Sequence, residues 1–90
     1  MLIISYDIEN DKLRTKFSKF IMQYGERLQY SVYKIENSER FLKLITAELD
    51  AKYYKKFSED DSVMIMKVPN DSIIRYGRAK HEEEDLIIVD

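Results

Sequence analysis

The sequence predicts an α+β domain, with an antiparallel-rich sheet carrying two helices on one face. Three observations predict it. Short β-branched and aromatic runs alternate with helical stretches in the order strand, helix, extended, helix, strand, with one more short apolar run at the end. Each helical stretch has a single apolar stripe, so each needs one apolar layer to cover it. Ninety residues give one domain, 1–90, with a core over 1–69 and a turn and strand over 70–90.

Residues 2–8 read as a strand without a breaker, and near-continuous apolarity suggests a central strand buried on both faces. Ile3, Ser5 and Asp7 share one face because side chains alternate. A helix is expected over 11–24, with Leu13, Phe17, Phe20, Ile21 and Tyr24 on its apolar stripe. Asn10 or Asp11 can cap its start, and Gly25 sits where a left-handed C′ glycine belongs. Residues 27–35 read as extended, either one bent strand or two short ones. A second helix is expected over 38–53 on the stripe Phe41, Leu42, Ile45, Leu49 and Tyr53, with a polar turn over 58–61 after it. Residues 63–68 form the next strand, closed by Pro69. Residues 71–76 suggest one helical turn ending at Gly77. A charged exposed stretch over 78–85 and a short strand over 86–89 close the chain, and that strand must pair with something. This order suits the ferredoxin-like sandwich.

Composition excludes several classes. With no cysteine, disulfides and Cys-ligated zinc are ruled out, and one histidine, His81, rules out His-rich metal sites. A small domain without such staples is expected to gain stability by oligomerising, and a dimer is the default. No apolar stretch approaches the roughly 20 residues of a membrane span. Acids Asp7, Glu9 and Asp11 directly follow the first apolar run, unlike a signal peptide, so a cytoplasmic location is expected. The net charge is −2, but residues 1–45 carry eight Lys/Arg against six Asp/Glu, and residues 46–90 carry seven against eleven. Such a field can bind phosphate locally while the whole molecule repels a polyanion.

Most enzyme templates fail, for there is no Cys nucleophile, no Gly-rich phosphate loop and no partner for His81 at a recognisable spacing. Asp7 stands apart, at the C-terminal end of the first strand just before a helix. A carboxylate there can hold Mg²⁺, and a two-fold axis nearby would bring two such groups together around a metal that activates water for phosphodiester cleavage. The plain alternative is a loop carboxylate that accepts hydrogen bonds. Lys12, Arg14, Lys16, Lys19 and Arg27, with Arg75, Arg78 and Lys80 later, are either phosphate contacts or an ordinary solvated surface. Tyr30 and Tyr33 fall on opposite faces, so at most one is expected to stack on a base. Core or dimer packing is the favoured reading of both.

These stretches together resemble a known family. Tyr6-Asp7-Ile8 ends the first strand, Asp11-Lys12 and Arg14 open the helix, and Tyr24-Gly25 ends it. Then come Arg27-Leu28-Gln29-Tyr30-Ser31-Val32-Tyr33 and, later, Asp61-Ser62-Val63. The pattern is similar to the small CRISPR-associated adaptation protein, the "second" CRISPR-associated protein, from Met1 to about Pro69. The resemblance implies a ferredoxin-like homodimer that bridges copies of the CRISPR integrase and holds a captured double-stranded DNA along its basic surface. It also implies, for some members, Mg²⁺-dependent endonuclease activity on RNA or double-stranded DNA, with Asp7 as catalytic residue and metal ligand at the dimer interface. Arg14 and Arg27 match basic positions of the pattern, and Lys16, Arg75 and Arg78 join them as expected nucleic-acid contacts. The terminal strand is implied to pair with the partner protomer or the integrase. Tyr33 and Lys34 stand where many members have Phe and an acid; neither touches the Asp7 site.

Three readings follow: an adaptor in a spacer-integration complex, a free-standing metal-dependent nuclease, and a ferredoxin-like regulatory module without nucleic acid. The charge balance favours the first, since such a chain should hold DNA well only beside a basic partner.

Overall fold

The first strand decides the layout. In the computed structural model, which describes residues 1–36 and 38–77, β1 runs over Leu2–Asp7. Leu2, Ile4 and Tyr6 are 0%, 0% and 5% exposed, whereas Ser5 is half-buried and Asp7 exposed. The strand is therefore closed on one face. On the other it is covered at Ile3 and opens toward Asp7, so the expectation of burial on both faces holds only in part.

Helix α1 spans Asp11–Met22, capped by Asn10, whose side-chain oxygen accepts from the Leu13 N–H at 2.9 Å. It buries Leu13, Phe17, Phe20 and Ile21. It stops two residues short of the expected end, because the N–H groups of Gln23 and Tyr24 donate to the carbonyls of Phe20 and Ile21 and tighten the last turn. Gly25 is not a left-handed cap. Positive φ occurs, among the described residues, only at Asp71 and Gly77. A Cβ on Gly25 would instead lie 2.1 Å from the Lys34 carbonyl oxygen, so glycine is needed for close approach of two backbones.

The extended stretch resolves into two short strands, β2 (Glu26–Gln29) and β3 (Val32–Ile35), with a register irregularity between Arg27 and Gln29. The turn at Tyr30 and Ser31 resets the alternation: Leu28 and Tyr33 are buried, and Tyr30 is 57% exposed rather than packed in the core. Helix α2 (Ser38–Glu48) continues through a π-helical turn over Leu49–Tyr53 and a 3₁₀ turn over Tyr54–Lys56. Only Ile45 of α2 is fully buried; Phe41, Leu42, Leu49 and Tyr53 cover the core edge. The wide turn places the Tyr53 ring 5.0 Å from Phe20 and 5.4 Å from Phe17.

Strand β4 (Ser62–Lys67) completes a four-stranded sheet in the order β2-β3-β1-β4, with every pair antiparallel. Both helices supply side chains to one cluster with Leu2, Ile4, Tyr33 and Ile35, so they share one face of the sheet. This is the expected ferredoxin-like α+β arrangement. The expected helical turn over 71–76 does not form; that stretch is irregular and leads to Gly77 at φ 74°. The strand expected over 86–89 lies outside the described residues, as do Arg78, Lys80 and His81. Among the described residues, no helix is long and apolar enough to cross a membrane.

Candidate metal and nucleic-acid site

Asp7 ends β1 opposite Ser62 on β4, on the sheet face that carries no helix. Its side chain is exposed. A carboxylate is a hard oxygen donor of the kind Mg²⁺ takes, and an exposed strand end leaves room for its water. The residues fit the ion as one ligand and no more. Among the described residues, no group of three or more His, Cys, Asp or Glu side chains could hold a metal.

The loop after Asp7, residues 8–10, is tied from both sides. From α1, the Arg14 guanidinium donates through Nη1 to the carbonyls of Ile8 at 3.0 Å and Glu9 at 3.2 Å, and pairs through Nη2 with Asp11. The Asn10 carbonyl accepts from the Arg14 backbone N–H at 2.9 Å. From the turn before β4, Asp61 Oδ1 accepts the Glu9 N–H at 2.9 Å, and its Oδ2 accepts the Ser58 N–H at 2.9 Å. The Glu9 and then the Ser58 N–H hold the Asp61 carboxyl below the usual carboxylate range. Arg14, expected as a phosphate contact, is thus also a brace for the loop that follows Asp7.

Arg27 turns inward. Its Nε and Nη2 donate to the Tyr33 hydroxyl at 2.9 and 2.6 Å, and Nη2 also reaches Ser18 Oγ at 3.1 Å. Its guanidinium carbon lies 5.7 Å from the Tyr30 ring centre. The Tyr33 ring stacks 6.0 Å from Tyr6. Burial, then the neighbouring Tyr33, pushes the Tyr6 hydroxyl well above its ordinary pKa. Of the other expected contacts, Lys16 is exposed on α1. Arg75 donates to the Leu28 carbonyl at 3.3 Å and lines a small cleft with Met1 and Lys34, away from the strand end that bears Asp7. Arg78 lies outside the described residues. The structure therefore brings Asp7 and Arg14 to one end of the sheet and sets Arg75 apart.

Asp61 is the residue whose role sequence reasoning missed. Its triplet with Ser62 and Val63 was legible as part of the family pattern, but its contact with Glu9 spans 52 positions, and no local spacing signals it. A wide cleft was missed too. It holds about 1200 Å³ between the start of α2 and the end of β4, with Arg40, Lys43 and Lys67 among its lining.

The profile of the family described as CRISPR associated protein Cas2 matches residues 1–75. A CRISPR-associated endoribonuclease Cas2 of Thermus thermophilus is 30% identical over 81 residues, covering 90% of this chain and 83% of that protein. A Synechocystis protein of the same designation is 35% identical over 63 residues, covering 70% of this chain and 65% of that one. The crystal structure of a hypothetical protein from Thermus thermophilus superposes with a TM-score of 0.67 at 26% identity, covering 86% of this chain and 90% of that one. The crystal structure of Streptococcus pyogenes Cas2 also gives 0.67, at 19% identity over 84% of this chain and 98% of that one, a likeness of fold alone.

Proposed function

The chain belongs to the Cas2 family of CRISPR-associated proteins, and on that premise we propose that it serves CRISPR adaptation as a homodimeric adaptor. In this reading it bridges integrase subunits and holds a captured DNA duplex, with Mg²⁺-dependent hydrolysis of RNA or DNA as a secondary activity. The observation that carries the reading is the helix-free face of the sheet. There Met64 is 58% and Met66 37% exposed, in register with Ser5 and Ile3 of β1. Apolar side chains on an open sheet face favour a partner with a matching face, and a second copy has one. Pairing there sets the Asp7 of each copy beside the same two-fold axis.

Asp7 would hold the Mg²⁺. When bound, the ion supplies Lewis-acid polarisation of a phosphoryl oxygen and a more acidic water. This chain's own part is to present the Asp7 carboxylate from a strand end braced by Arg14 and Asp61. Lys16, Arg75 and Arg78 offer positive charge for phosphates, and Arg14 adds to it beside Asp7. The chain's net charge of −2 doubles in a dimer, so tight capture of a polyanion requires contacts from a basic partner. That balance favours the adaptor over the free-standing nuclease. The nuclease reading rests on the relatives' designation as endoribonucleases.

The test is duplex DNA binding at near-physiological salt, with and without the cognate integrase and Mg²⁺. Tight binding only with the integrase is the expected outcome, together with spacer integration that survives Asp7→Ala while cleavage is lost. Binding and cleavage by the purified protein alone, abolished in Asp7→Ala, would make hydrolysis the primary activity.

A further inference from the structure

The carboxylate of Asp61 joins two segments that are far apart in sequence. Oδ1 takes the N–H of Glu9, two residues after Asp7, and Oδ2 takes the N–H of Ser58 in the turn before β4. The backbone N–H of Asp61 closes the same turn on the Ser58 carbonyl at 3.2 Å. The next residue, Ser62, is the cross-strand neighbour of Asp7. Asp61 therefore fixes both the segment that leaves Asp7 and the strand end that lies against it. Both its oxygens accept, which only a carboxylate can do at this place. An asparagine would turn an NH₂ group toward one of two N–H donors.

We infer that Asp61 is the positioning residue for the Asp7 cation site, setting the direction in which the Asp7 carboxylate meets a divalent ion. The inference rests on the reading of Asp7 as a metal ligand. Groups that orient a ligand without touching the metal typically change its affinity by about 10–100-fold when replaced. The same order is expected here, with the fold retained, because the clasp lies at the surface outside the apolar cluster.

The experiment is an NMR titration of the purified full chain with Mn²⁺, which broadens resonances near its binding site. Only broadening that disappears in Asp7→Ala is counted, so binding at the acidic turn is set aside. In Asp61→Asn the Mn²⁺ concentration for half-broadening at residues 5–8 should rise about tenfold, with an unchanged thermal midpoint and faster hydrogen exchange at the Glu9 amide. Asp61→Ser, which removes the fork altogether, should match it; it also serves as the second variant if Asp61→Asn folds poorly. A titration of either folded variant that superimposes on the wild type overturns the positioning role while leaving Asp7 as a ligand. No Asp7-dependent broadening in the wild type overturns the metal reading of Asp7, and the positioning role with it.

Discussion

The two faces of the sheet are made by the same strands and do opposite things. On the helix side, Leu2, Ile4, Tyr33 and Ile35 are fully buried, with the rings of Phe17, Phe20 and Tyr53 packed together above. On the open side, Ser5 is half-buried and Asp7, Met64 and Met66 are exposed. Alternation along one strand therefore separates what holds the fold from what is left exposed. Substitutions on the first face should change stability, and substitutions on the second should change assembly and chemistry.

The contrast breaks most heavily at Ile4. Ile4→Ala removes a fully buried side chain at the centre of the sheet and should cost about 2–5 kcal/mol. Urea unfolding followed by circular dichroism measures it; a loss under about 1 kcal/mol would mean that the helix-covered face is not the seat of stability. Gly25→Ala comes next. Its Cβ meets a backbone oxygen, which cannot swing away as a side-chain tip can, so a loss of about 1–3 kcal/mol is expected in the same assay.

A smaller effect depends on pH. The buried Tyr6 hydroxyl keeps its proton to higher pH in the native state than in the unfolded chain, where tyrosine loses it near about 10. The native state then binds more protons above that pH, so stability falls as pH rises through it and is fully present below. Tyr6→Phe should flatten this alkaline limb of the thermal midpoint, and a limb of unchanged slope would assign the effect elsewhere. The smallest change in chain stability is expected at Met64. Met64→Lys should shift it by no more than about 0.5 kcal/mol, yet convert the proposed dimer to monomer in sedimentation velocity. A persistent dimer would move the partner surface off this face.

Much of this was legible in the sequence because it is local. The helical stripe from Leu13 to Ile21, a cap at Asn10 or Asp11 and the place of Asp7 at a strand end all follow from spacing within a few residues, and the structure settles the cap on Asn10. What was hidden is mostly long-range or lacks its usual marker. The hairpin turn at Tyr30 and Ser31 has none of the Gly, Asn or Asp that normally announces one, so one bent strand and two short ones read alike. Gly25 stands in the right position for a cap and serves a different need, which only the neighbouring β3 backbone reveals. Arg27 matched a basic position of the family pattern, but its partners Ser18 and Tyr33 lie on other elements and draw it inward. The clasp from Asp61 to Glu9 spans most of the chain.

The order of the sheet also bears on how the protein is made. Strand β1 is one of the two inner strands of the sheet and is made before the other three, while its neighbours β3 and β4 start 25 and 55 residues after it ends, at Val32 and Ser62. At about 5–20 residues per second, its β4 side waits on the order of 3–11 s for a partner. Until β3 is made, β1 has no ladder to join within its own chain, and until β4 is made its second edge stays unpaired. Nascent chains on the same message present the same strand to one another. Slower elongation between α2 and β4 would lengthen that exposure, and yield during expression should be sensitive to it.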